Sequence, residues 1–272
     1  MKNFKLLCSL LVCTVLILPF NLQAQDNERP EYVVITTLHR NLEKTDGSTE
    51  EWLALEKEYL EKVTKKNEFI MGASMARHHY TADNTEMLQV TVYRNWGDIK
   101  SAAERSDELV KAAWPDEKAR KAYFKKSDSY YTTMHSDEIY ATMPNAKITT
   151  PSTEPRLLYM RERHFAFPEE GSVEEFQALN KEYTEAVIHK NPHVIGYYPM
   201  RHAWGADKRD FIEVFMVKSM ADLEASDDAR ENLIKSHWTD EAARKAFFKK
   251  SSKYFTGWHA DYIYETIPEL SK

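Results

Sequence analysis

The sequence predicts an α+β protein made of two tandem copies of one β-α-β-β-α-(α)-β unit, packed sheet to sheet. Three observations carry this. The chain repeats itself at a fixed offset of 124 residues (Trp114 to Trp238), without a gap from Gly47/Gly171 to Pro144/Pro268. About 41 of those 98 pairs are identical, where chance gives a handful. The hydrophobic period also switches between strand-like and helix-like in the same order in both copies. Finally, the helices of one unit suffice to cover only one face of its sheet, so the other face needs a partner, and a second copy on the same chain is the obvious one. A repeat this long is a duplicated small domain, not a solenoid.

Each element has a local reason. Tyr32 to Leu38 is β-branched and apolar and predicts a first strand. From Ser48 to Lys66, apolar residues at Trp52, Leu55, Tyr59 and Val63 mark one helix face. Ser48 with Glu51, matched by Ser172 with Glu175, reads as a capping box. Ile70 to Tyr80 and Met87 to Arg94 predict two strands, with Ala82-Asp83-Asn84 in the hairpin turn between them. Asp98 to Ala113 and Pro115 to Lys126 predict two helices, with Pro115 near the first turn of the latter. Met134 to Met143 closes the unit as a strand. The expected boundaries are 32–144 for the first unit, 145–155 for a Pro- and Thr-rich linker, and 156–268 for the second unit.

The first 24 residues stand apart. Lys2 and Lys5 precede an apolar run from Leu6 to Phe20, and Ala24 offers a small residue before Gln25, which predicts a cleaved secretory signal peptide and an exported protein, periplasmic or extracellular. The run is shorter than a membrane span. Both cysteines, Cys8 and Cys13, lie inside it, so the mature chain has no disulfide, thiolate nucleophile or cysteine-ligated metal. Removing the two lysines leaves a net charge of 37 − 2 − 43 = −8, which argues against nucleic acid as a partner. None of the seven glycines forms a phosphate-cradling loop.

The order β-α-β-β-α-(α)-β is the ferredoxin-like split βαβ. With its duplication, the chain resembles the dimeric α+β barrel superfamily, which includes the antibiotic-biosynthesis-type monooxygenases, the NIPSNAP-like proteins and the chlorite-dismutase-like proteins. The resemblance covers both units and rests on element order and duplication. It implies two ferredoxin-like units closing one intrachain barrel, with no oligomer required, and leaves room for haem with His202 or His259 as axial ligand.

Candidate site residues follow from duplication and from where it fails. On the last strand, His135 and Asp137 share a face, as do His259 and Asp261; such a pair suits an oriented base, two ligands of one metal, or a structural pair at an interface. Arg77-His78 matches Arg201-His202, and only one of each adjacent pair can look into a barrel. Leu88, Val90 and Val92 match Ile212, Val214 and Met216, an apolar face expected under the helices. The opposite face, with Glu213 where the first unit has Gln89, is then expected to line the space between units. Large aromatics at Trp114/Trp238 and Tyr130/Tyr254 are expected as core plugs. The second unit alone has Tyr197, Tyr198, Trp204, Phe215 and Trp258 in place of smaller residues. Together these favour a small-molecule site in the second unit, drawn from Arg201, His202, Glu213, His259, Asp261, Tyr198 and Trp258, with no metal assigned. Glu213→Gln is expected to weaken ligand binding while leaving folding nearly intact. The alternative is a non-catalytic interaction module whose duplicated residues hold the inter-unit interface. The sequence contains no nucleophile elbow, His-Glu-x-x-His or other catalytic frame.

Overall fold

A computed structural model describes residues 29–272. The expected signal segment lies outside the described residues. Among the latter, no helix is long and apolar enough to cross a membrane. The first half runs β1 (Tyr32–Arg40), α1 (Thr49–Lys62), β2 (Gly72–Tyr80), β3 (Glu86–Tyr93), α2 (Trp96–Ala113), α3 (Glu117–Asp128) and β4 (Tyr131–Thr142). The second runs β5 (Leu157–Phe165), α4 (Val173–Tyr183), β6 (Gly196–Trp204), β7 (Asp210–Val217), α5 (Met220–His237), α6 (Glu241–Ser252) and β8 (Phe255–Ile267).

Local chemistry sets the helix starts. The Ser48 and Ser172 hydroxyls accept from the backbone N–H groups of Glu51 and Glu175. The reciprocal half of a capping box is absent. Glu51 turns instead to Tyr130 and Lys126, and Glu175 to Tyr254, Lys250 and Lys253. Each glutamate thereby ties its helix start to the end of the last helix and the following strand. Asn95, Asp116, Ser219 and Asp240 cap the remaining long helices. Trp114, Trp238, Tyr130 and Tyr254 are buried, and Trp114 stacks on Tyr123.

The eight strands close a single antiparallel barrel in the order β1-β3-β2-β8-β5-β7-β6-β4. Two seams join the halves: β2 with β8, where His78 faces Tyr264, and β4 with β6, where Tyr140 faces His202. The segment between the halves is anchored to β6. Lys147 and Tyr197 exchange backbone hydrogen bonds at 2.8 and 2.9 Å, and the Lys147 ammonium donates to the carbonyls of His189, Asn191 and Val194.

The barrel interior is the apolar layer. Val33, Ile35, Leu88 and Tyr140 from the first half pack there with Met200, Ile212 and Tyr264 from the second, and Val90, Val92 and Val214 complete the layer. This corrects the face assignment made from sequence: Leu88, Val90 and Val92 fill the lumen and are not under helices. The face with Thr91 and Tyr93 lies toward α2, where Tyr93 packs on Ala102 and Ile99. Glu213 accordingly faces its own half's helices and not the space between halves. Both faces of a closed, helix-wrapped sheet are buried, so apolarity alone does not say what covers each face. The middle of the lumen takes the apolar set and its ends carry polar residues, whereas the helix-side layer can hold polar groups where it leaves room.

Candidate functional site

That room occurs between the sheet of the second half and its helices, as a cavity of about 530 Å³. On β5, alternation turns Tyr159, Arg161 and Arg163 toward the helices. The flanking strands place Glu213 and Asp261 on either side of Arg161 in one cross-strand row, and Phe211 and His259 on either side of Arg163 in the next. The helices contribute Phe176, Asn180 and Tyr183 from α4, Arg230 from α5, and Phe247 and Phe248 from α6. A π-helical turn at Thr184–Ile188 ends α4 and adds Val187 and Ile188 to the wall; such turns are frequent at functional sites.

The charged floor is internally paired. Glu213 is 6 % exposed. It accepts the Tyr197 hydroxyl at 2.7 Å and lies 3.6 Å from the Arg163 guanidinium. Burial and the adjacent Glu213 push the Tyr197 hydroxyl well above its ordinary range, so it stays a donor. Burial also lowers Arg163, with Glu213 opposing that shift, and the guanidinium sits 3.3 Å over the Phe255 ring centroid. Beside them, Arg161 donates to the Tyr159 hydroxyl at 2.5 Å, and that hydroxyl donates to Asp261 at 2.5 Å. Burial and the bond to Asp261 raise Tyr159 to about 12.

The first half lacks this chemistry. The β1–β3 and β5–β7 registers place Thr36 where Arg161 stands, Leu38 where Arg163 stands, and Gln89 where Glu213 stands. Its corresponding space is filled by Trp52, whose indole donates to the Tyr131 hydroxyl, with that hydroxyl donating to Glu56.

The residues singled out from sequence distribute as follows. Glu213, His259 and Trp258 line the cavity, and Asp261 binds its Tyr159. His202 does not reach it: it shares the interior strand face of Met200, opposite Tyr140, and acts electrostatically on Asp210. Arg201 is exposed. Tyr198 accepts a hydrogen bond from the Thr149 backbone N–H. Of the added aromatics, Phe215 and Trp258 line the cavity, Tyr197 is fully buried beneath it, and Trp204 is 68 % exposed, away from the cavity. The two His–Asp pairs lie at the surface, at 3.4 Å for His135–Asp137 and 3.3 Å for His259–Asp261.

Haem does not fit. Among the described residues His259 is the only histidine lining the cavity, and it sits at the rim, 60 % exposed and turned to Asp261. The helical wall presents no histidine, methionine or cysteine that could reach a central iron.

Sequence reasoning missed Tyr159, Arg161 and Arg163. The gapless repeat begins at Gly47/Gly171, and the first strands align at an offset of 125 (His39 with His164, both opposite the matched Glu86/Asp210). The available signal was a run of four polar residues, Arg161 to His164, inside a segment otherwise patterned as a strand.

No protein-family model and no curated protein matches the chain in sequence. Among solved structures, it is similar to a mutant chlorite dismutase from Candidatus Nitrospira defluvii, at 13 % identity and TM-score 0.51, covering 88 % of this chain and 92 % of that one. It is also similar to a protein from Fusobacterium nucleatum provisionally described as a monooxygenase, at 10 % identity and TM-score 0.50, covering 87 % and 92 %. These likenesses are of fold alone: two ferredoxin-like units on one polypeptide close one α+β barrel, as in those structures.

Proposed function

We propose that this chain is an exported small-molecule-binding protein whose ligand occupies the sheet–helix cavity of the second half. The observation that carries the reading is the pair Arg161 and Arg163 set into an aromatic-walled cavity that the first half does not have. The ligand this chemistry favours has a flat apolar body, for the Phe176, Phe215 and Phe247 walls, and one anionic group for the guanidinium fork. A mostly apolar pocket with a few placed polar groups is the usual form of such a site. Export rests on the sequence of residues 1–24 and is tested by the mass of native material, which should begin at or near Gln25.

Titration calorimetry with 1-naphthoate tests the binding reading against its neutral analogue 1-naphthamide. Naphthoate should bind one per chain and more tightly than the amide. Arg163→Met should weaken naphthoate about 10- to 100-fold, the loss of a charge-assisted hydrogen bond, and leave the amide nearly unchanged. Equal binding of both probes, or none, would remove the reading and favour an interaction module instead.

A second reading, catalysis, is favoured by one observation: Glu213 is a buried carboxylate on the cavity floor. Proton transfer from an aromatic substrate, or its cofactor-independent oxygenation, fits both a carboxylate base and the monooxygenase description of the Fusobacterium protein. Aerobic incubation with 1-hydroxy-2-naphthoate, followed by mass spectrometry, separates the two; unchanged ligand after bound turnover times leaves binding alone.

A further inference from the structure

We propose that the open end of the barrel lumen in the second half is a divalent transition-metal site, formed by Glu162, His164 and Asp210. It is separate from the cavity: these side chains alternate with Arg161 and Arg163 on β5, and so point to the opposite face of the sheet.

Three facts converge. The ligating atoms of Glu162, His164 and Asp210 all lie within 4.8 Å of one another, with His164 Nε2 at 3.4 Å from Asp210 and 3.9 Å from Glu162. The His164 ring is held in place by stacking on Trp258, with centroids 3.9 Å apart and planes at 16°, which fixes the direction of its nitrogen lone pair. Asp210 is 3 % exposed, and its Oδ1, the oxygen 3.4 Å from His164 Nε2, is buried with no hydrogen-bond partner. A buried carboxylate oxygen that receives no hydrogen bond is costly and calls for a cation.

The first half supplies the internal control. At the matching end, Glu86 accepts the Tyr264 hydroxyl at 3.0 Å. His39 is satisfied by Thr85 at 3.0 Å and Asp83 at 3.2 Å. Thr37 stands where Glu162 stands. In the second half the matching tyrosine, Tyr140, turns away to Glu138, which leaves Asp210 without that donor and adds carboxylates. Asp207, 3.7 Å from His164, is occupied by Arg209 at 2.9 Å. Two carboxylates and one imidazole, with room for water, suit Zn²⁺ or Mn²⁺ over Ca²⁺ or Mg²⁺, which take oxygen ligands alone.

The experiment uses chelator-treated full-length protein. Zn²⁺ should bind one per chain by calorimetry and raise the thermal midpoint by roughly 5–10 °C at a hundredfold excess over its Kd, whereas Ca²⁺ should not. Asp210→Asn, near-isosteric and relieved of like charge, should fold at least as well as the parent and lose the Zn²⁺ shift. His164→Ala should lose it too, and His135→Ala, at an exposed pair in the other half, should keep it. Co²⁺ should give visible d–d absorption in the parent, displaced by Zn²⁺, a readout independent of whether any variant folds. Absence of stoichiometric Zn²⁺ binding, a shift that persists in Asp210→Asn, or one lost in His135→Ala would overturn the assignment.

Discussion

Glu213→Gln gives the sharpest test of the cavity's electrostatics, because the structure reverses the sign expected from sequence. Read as a solvated carboxylate that meets the ligand, Glu213 should weaken binding when neutralised and cost little stability. In the structure it is buried and lies 3.6 Å from Arg163. At an effective dielectric near 20, that separation corresponds to a gross attraction of about 4–5 kcal/mol. Arg163 retains 30 % side-chain exposure, so solvent screening and the relieved desolvation of the carboxylate reduce the net to about 1–2 kcal/mol. Two consequences follow. The variant keeps an acceptor for the Tyr197 hydroxyl but leaves Arg163 with only the Phe255 face, and should unfold about 1–2 kcal/mol more readily in urea. The freed guanidinium should also bind an anionic ligand more tightly, by about 5- to 30-fold for 1-naphthoate, since Glu213 competes for the same donor. Calorimetry of parent, Glu213→Gln, Arg163→Met and the double variant closes a cycle, in which the gain should vanish once Arg163 is gone. Weaker naphthoate binding by Glu213→Gln would show that Glu213 contacts the ligand itself, and the argument from competition would fail.

Other outcomes are equally concrete. A Cβ at Gly47 would lie 2.5 Å from the Tyr130 hydroxyl oxygen, so Gly47→Ala should lower stability by about 1–3 kcal/mol, read by urea denaturation, and Gly171→Ala should act similarly against Tyr254 at 2.9 Å. Hydrogen bonds from Lys250, Lys253 and Tyr254 lower the Glu175 carboxyl to about 2; its contribution is present above the ordinary glutamate pKa and is lost as pH falls from there toward 2, so Glu175→Gln should flatten the acid limb of the stability curve over that window. Because both His–Asp pairs are exposed, His135→Ala and His259→Ala should each cost under about 0.5 kcal/mol of stability, while only His259→Ala, at the cavity rim, should alter naphthoate affinity.

The architecture was legible because three independent signals agreed: period, order and repetition. The Ser48 and Ser172 caps and the buried Trp114 and Trp238 could be read residue by residue for the same reason. The site was only half legible. Glu213 was visible as a departure between copies, but its face was not, since Leu88 and Val90 are equally at home in a lumen or under a helix. His202 shows the limit of arguing from duplication: its identity with His78 reflects a shared place on the seams, opposite Tyr140 and Tyr264, not a shared task. Arg161, Arg163 and Glu162 escaped because the one-residue change of offset before Gly47 placed them outside the comparison that exposed everything else.

That both halves of the barrel sit on one polypeptide has a consequence for stoichiometry. In a barrel assembled from two identical chains, every substitution is installed twice. A carboxylate at the position of Glu162 would recur at the position of Thr37 in the other mouth, and an arginine pair would be carved into both helix layers, doubling the buried charge each time a site is gained. Joining the copies lifts that symmetry constraint. One layer keeps Trp52 and remains solid, while the other opens to hold Arg161 and Arg163; one mouth keeps its tyrosine on Glu86, while the other gathers Glu162 and Asp210 around His164. On the readings proposed above, such a molecule would take one ligand and one ion per barrel, where a symmetric pair of identical chains would take two of each or none.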